Sequence, residues 1–220
     1  MKTLLFCTSF ADSSSRWESR YHKWLDFFSK SALHRDQILL VDDGSPSLPT
    51  WRGVAVLREL PEQQPKEKTV LFHFDKNLGR QAVLVYPGWF RSFFFVASYA
   101  RRYGFDKIVH VESDCYLYSD RILRFINETA SGWTAFWCPS QDFPETCIQV
   151  ICADQMDSYA ELAELDYGTQ VANRAIETLL PFTAVRKDFI GDRYGEFLQW
   201  VPEDADYACQ VPDEWPADRE

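Results

Sequence analysis

The sequence predicts an α/β protein: one domain with a mostly parallel central sheet and helices on both faces. Three observations predict it. Apolar, strand-like runs alternate with amphipathic segments through roughly the first 130 residues. The opening reads strand, helix, strand, for which a parallel pair is the natural outcome. The 220 residues, 46% of them hydrophobic, suit a single domain with a sizeable core.

Thr3 to Thr8 is an apolar run ending in small polar residues, as in a buried first strand. Ser15-Arg16-Trp17-Glu18 has the form of a capping box, and Trp17, Tyr21, Trp24, Leu25 and Phe28 then recur at helical spacing, predicting a helix to about Leu33. Gln37 to Val41 is a second strand, stopped by the turn cluster Asp42-Asp43-Gly44-Ser45-Pro46. Val54 to Leu57 and Val70 to Phe74 are further strands, separated by a charged, proline-containing loop. Pro87-Gly88 opens a helix whose aromatic stripe of Trp89, Phe90, Phe93 and Phe94 reads as core packing, and Tyr103-Gly104 closes it. A strand from Ile108 to Val111 follows, then a helix from Arg121 to Thr129. Strands are expected at Trp133–Cys138 and Thr146–Ala153, and helices at Ser158–Leu165, at Thr169–Leu180 and from Glu203 to Ala208. From about Val211 the chain reads as a loose tail.

A net charge of −10 and a pI near 4.9 argue against nucleic acid as a partner, which calls for a basic face. They do not exclude an anionic substrate, because a metal or a local basic cluster reverses the field at one site. The six cysteines show no C-x-x-C spacing and several sit in apolar runs, so they read as reduced core residues of a cytoplasmic protein. No apolar stretch approaches the length of a spanning helix, which leaves only contact with a membrane surface open.

Glu112-Ser113-Asp114 ends an apolar strand. Alternation puts both carboxylates on one side of the strand end, a seat for a hard divalent cation such as Mg²⁺ or Mn²⁺. Thr8-Ser9, Asp42-Asp43 and Asp75-Lys76-Asn77 end three other strands. In an open α/β sheet these exits share one rim, where ligands bind. A core needs apolar strands but no acid at nearly every exit.

Three segments in register resemble family 2-type nucleotide-sugar glycosyltransferases. Val41-Asp42-Asp43-Gly44-Ser45 is similar to their V-D-D-G-S segment, Asn77-Leu78-Gly79-Arg80 to their N-x-G segment, and Glu112-Ser113-Asp114 stands where they carry D-x-D. The likeness covers residues 3 to about 118. Two departures are visible: the first strand ends in Cys7-Thr8-Ser9-Phe10 rather than P-x-Y-N, and Glu112 replaces the first acid of D-x-D.

The resemblance implies a GT-A-type, Rossmann-like domain, with residues 1–118 as the nucleotide-sugar half, 119–210 as the acceptor half and 211–220 as the tail. It implies Mn²⁺ or Mg²⁺ on Asp114 and Glu112, and a UDP- or GDP-linked sugar met by Thr8, Ser9, Asp42, Asp43, Asn77, Arg80 and Ser113. The acceptor would be a glycan, glycolipid or glycoprotein, and transfer would invert the anomeric centre. The base falls on Asp204 of the Glu203-Asp204 pair, with Asp166 (beside Glu164) and Asp142 as alternatives. Read without the resemblance, Asp42 and Asp43 also suit an Asx turn and Arg80 a surface charge, while Trp133, Trp137 and Trp200 are either sugar platforms or buried rings. Two other functions stay open: a catalytically silent nucleotide- or glycan-binding module, and a sugar-nucleotidyltransferase, which would carry a Gly-rich basic loop where Phe10 to Ser15 stand.

Overall fold

The computed structural model describes residues 1–82, 84–165, 175–197 and 199–217. Its centre is a sheet of eight strands: β1 (Thr3–Ser9), β2 (Gln37–Asp42), β3 (Val54–Leu57), β4 (Thr69–His73), β5 (Lys107–Val111), β7 (Trp133–Cys138), β8 (Phe143–Cys152) and β9 (Ala184–Arg186). Their order across the sheet is β3-β4-β2-β1-β5-β8-β7-β9. The first five positions run parallel, and β8 is antiparallel to both β5 and β7. A small second sheet joins β10 (Gly191–Asp192), β11 (Tyr207–Ala208) and β6 (Tyr116–Leu117).

Strand alternation sorts the core into two layers. Leu5, Cys7, Ile38 and Leu40 point to the face covered by α1 (Ser14–Arg16), a π-helical stretch Trp17–His22 and α2 (Lys23–Lys30), where Trp17, Trp24 and Phe28 are buried. That layer also takes Ile122 and Ile126 of α4 (Asp120–Glu128). Leu4, Phe6, Leu39 and Val41 point to the other face, against Phe90, Phe93 and Ala97 of α3 (Pro87–Tyr103) and Tyr159 of α5 (Met156–Leu162). Phe90, Phe93 and Phe94 of the aromatic stripe on α3 are therefore core, as expected, whereas Trp89 is half-buried and lines the cleft described below. Gly104 ends α3 in the left-handed conformation, with φ +66°. No basic residue stands in the last turn of α4; the buried Lys107 reaches across from β5 and donates to the carbonyls of Ile126, Asn127 and Thr129 at 2.8, 2.9 and 3.1 Å.

Several expectations are corrected. The expected capping box is not used: Ser13 is the N-cap residue, without a side-chain cap, and Glu18 instead accepts a hydrogen bond from Trp51 Nε1. The expected helix at 203–208 is a Pro202–Ala205 turn leading into β11, because Tyr207 and Ala208 pair with β6 and are buried there. Of the expected helix at 169–180, the described residues from 175 onward hold a 3₁₀ turn, Ile176–Thr178, in place of an α-helix; residues 166–174, Asp166 included, lie outside the described residues. Up to residue 217 the tail is packed: Val211 and Ala217 are buried, and Asp213 pairs with Arg16 and Arg20. The cysteines are not all reduced, since Cys115 and Cys209, 94 residues apart, are joined by a disulfide. Among the described residues no helix is long and apolar enough to cross a membrane.

Candidate active site

The chain leaves β1 for β2 on one side and enters β5 on the other, so the sheet's connection order reverses at β1. Ligands of open α/β sheets bind outside such a switch point. A cleft of about 840 Å³ opens there. Its walls include Thr8 and Ser9 from the end of β1, Asp43 after β2, Gly79 and Arg80, and Glu112, Ser113 and Asp114 after β5. Four segments singled out from sequence thus converge on one opening.

Asp43 holds the 77–79 loop together. Its carboxylate accepts hydrogen bonds from Asn77 Nδ2 at 2.9 Å, the amide of Gly79 at 2.8 Å and the guanidinium of Arg91. Asn77 Nδ2 also donates to the Asp43 carbonyl at 2.7 Å. Two glycines make the fit possible. Gly44 has φ +78°, and a Cβ there would lie 2.5 Å from the Asn77 amide nitrogen. A Cβ on Gly88, in the first turn of α3, would collide with Asp43 Oδ2 and sit 2.8 Å from the Gly79 nitrogen. Gly88→Ala is therefore expected to displace this loop and lower thermal stability by about 1–3 kcal/mol; an unshifted melting curve would contradict the interlock.

Asp42 is placed differently from its neighbour. It is fully buried beneath the turn and does not line the cleft. Its oxygens accept from the Ser45 hydroxyl, from the Ser45 amide at 3.0 Å and from His73 Nδ1 at 2.6 Å. Burial pushes its carboxyl above the usual range against these partners. The Asx-turn reading of this residue describes what it does here.

The two acids after β5 also have unlike surroundings. Glu112 accepts from the Thr8 hydroxyl at 2.9 and 2.8 Å and from Trp89 Nε1 at 2.5 Å, and His110 Nε2 lies 3.0 Å away. Burial raises its pKa, but His110, Trp89 and Thr8 together outweigh burial and hold it below the carboxylate range. Asp114 has Arg20 at 3.6 Å as its ionic partner. Burial pushes it up to about 6, Arg20 opposing and the charge of Glu112 adding. Of the two acids, Asp114 is the one that could hold a hard cation such as Mg²⁺, since the Glu112 oxygens are already taken by Thr8 and Trp89. Among the described residues, the trio of acidic, imidazole or thiol groups that converges is Cys115, Cys147 and Cys209, a soft set unsuited to that ion.

Elsewhere on the cleft wall, Arg193 after β10 donates to the buried Glu145 at 2.6 and 3.1 Å and stands 3.4 Å from Glu177 and 3.9 Å from Glu196. Arg193, Glu177 and Glu196 line the cleft. These residues were missed from sequence. Asp204 is exposed and does not line the cleft, because the 202–205 turn faces it outward. Asp142 is exposed as well, between the cleft-lining Gln141 and Phe143. Asn77 is exposed and does not line the cleft, although it bonds Asp43, which does; Arg80 sits over the Tyr86 ring at 4.9 Å. Trp133 is core, donating to Gln149 at 2.8 Å; Lys187 covers the Trp137 ring at 3.5 Å; Trp200 is 81% exposed.

A solved structure shares this architecture. It is that of a glycosyltransferase involved in the glycosylation of the major capsid of PBCV-1, similar to this chain with a TM-score of 0.53, over 96% of this chain and 95% of that one, at 10% identity. At that identity the likeness establishes the fold: a mixed α/β, glycosyltransferase-like domain. No family model and no curated protein matches the chain.

Proposed function

We propose that this protein is a metal-dependent glycosyltransferase of the GT-A type that moves a sugar from a nucleoside-diphosphate sugar to a glycan, lipid or protein acceptor with inversion. The observation that carries the reading is the convergence of the β1, β2 and β5 exits, with the Asn77–Arg80 loop, on one cleft. On this reading Thr8, Ser9, Asp43 and Arg80 border the nucleoside, Ser113 and Asp114 the diphosphate, and Asp114 holds Mn²⁺ or Mg²⁺. Bound there, the ion would neutralise charge on the departing diphosphate as a Lewis acid. Arg20, 3.6 Å from Asp114, adds positive charge at the same end. Glu112, with its oxygens committed to Thr8 and Trp89, fixes the strand exit rather than the ion. Asp42 and Asn77 set the loop behind Asp43.

The proton of the acceptor hydroxyl must go to a group that reaches the cleft. We assign that role to Glu177, which lines the cleft with its side chain 12% exposed, ahead of Asp204 and Asp166. Glu177→Gln is expected to retain nucleotide affinity while transfer falls about 10²–10⁴-fold, and Asp204→Asn is expected to transfer normally. The reverse pattern would return the base to Asp204.

A second reading, a nucleotide-binding module without turnover, is favoured by one observation: the expected E-D acid pair lies outside the cleft. Titration calorimetry with UDP and GDP plus Mn²⁺, followed by hydrolysis and transfer assays on their sugars, separates the two. Turnover supports the enzyme, metal-dependent binding without turnover supports the silent module, and no binding contradicts both.

A further inference from the structure

The disulfide sits at a junction the catalytic reading does not use. Cys115 directly follows Asp114, and Cys209 directly precedes Gln210, which lines the cleft in a left-handed conformation, φ +58°. The next residue, Val211, donates its amide to the Asp114 carbonyl at 2.9 Å. Two residues on, Asp213 accepts from Arg20 Nε at 2.6 Å and from Arg16 at 2.5 Å, and Lys23 Nζ holds the carbonyls of Asp213 and Trp215 at 2.8 and 2.9 Å. The 209–217 segment therefore touches both ends of the Arg20–Asp114 pair. A third sulfur completes the junction: Cys147 Sγ lies within 4.8 Å of the other two, and Cys147 lines the cleft while Cys115 and Cys209 are fully buried behind it.

We propose that the Cys115–Cys209 disulfide is a redox site that latches the C-terminal segment onto the strand end that carries Asp114. The reactant is a small dithiol admitted through the cleft. Its two thiols give up two electrons and form a disulfide; the Cys115–Cys209 sulfur–sulfur bond breaks, and the two protons end on the freed cysteine sulfurs. Reduction leaves Val211 and Asp213 with non-covalent contacts alone, so the segment opens more often and the Arg20–Asp114 pair loses its fixed backing. The effect on the cleft rests on the function proposed above; the effect on the segment does not.

Peptide mapping without reductant is expected to find the Cys115–Cys209 crosslink and free Cys147. Amide exchange in residues 209–217 is expected to quicken about tenfold on reduction by dithiothreitol. The Cys115→Ser/Cys209→Ser variant should match the reduced protein in either condition, and Cys147→Ser should keep the crosslink and the protection. Should the double variant fail to fold, the reduced wild type carries the comparison. UDP affinity in Mn²⁺ is expected to fall about tenfold on reduction, within the usual range of site coupling. Absence of the crosslink, or equal protection of 209–217 in both redox states, overturns the proposal; measurable UDP affinity that ignores reduction overturns its link to the cleft. If UDP binds in neither state the function proposed above fails, while the exchange data still decide the latch.

Discussion

Asp114→Ala is expected to cost about a hundredfold or more in Mn²⁺-dependent nucleotide affinity while leaving the fold intact. The carboxylate lines the cleft, and Arg20, its ionic partner, keeps Asp213 when that carboxylate is removed. Glu112→Ala behaves differently. It strips the acceptor from Thr8 and Trp89 and brings a stability loss with any loss of binding. Calorimetry and a melting curve on each variant separate the two roles. An Asp114→Ala protein that keeps its Mn²⁺-dependent affinity would remove the proposed ion seat.

Arg193→Met is expected to be the most destabilising single change near the cleft, by about 3–5 kcal/mol. Glu145 is 1% exposed, and the Arg193 guanidinium meets it through two hydrogen bonds. Without that partner a buried carboxylate is left uncompensated, which costs far more than the pair itself contributes. The double variant Arg193→Met/Glu145→Gln should recover part of the loss, because the remaining group is neutral. Urea denaturation of both variants checks this. A small loss in the single variant, or no recovery in the double, would contradict the account of the pair.

The strand-exit side of the cleft was legible because its chemistry is local. Each apolar run ends on a polar residue within one or two positions, and alternation then assigns its side. The same logic did not distinguish Asp42 from Asp43. Adjacent residues on a strand end face opposite ways, and only the packing of His73 and Ser45 shows that Asp42 is the one turned inward. The Arg193 cluster was not legible. Arg193, Glu145 and Glu177 are 48 and 16 residues apart along the chain and form a site only when β8 and β10 come together. Glu203 and Asp204 looked like a helix start because acids favour that position, yet the pairing of Tyr207 and Ala208 with β6 decides the local structure. The disulfide had no spacing to announce it, as 94 residues separate its halves.

The central claim is that neighbouring strand exits form one pocket for a nucleoside diphosphate and an ion. Crystals soaked with UDP and Mn²⁺ test it most directly. The account predicts the nucleoside against Thr8, Asp43 and Arg80, with the diphosphate and an ion at Asp114. A nucleotide bound elsewhere, or a cleft that stays empty at saturating ligand, would contradict it.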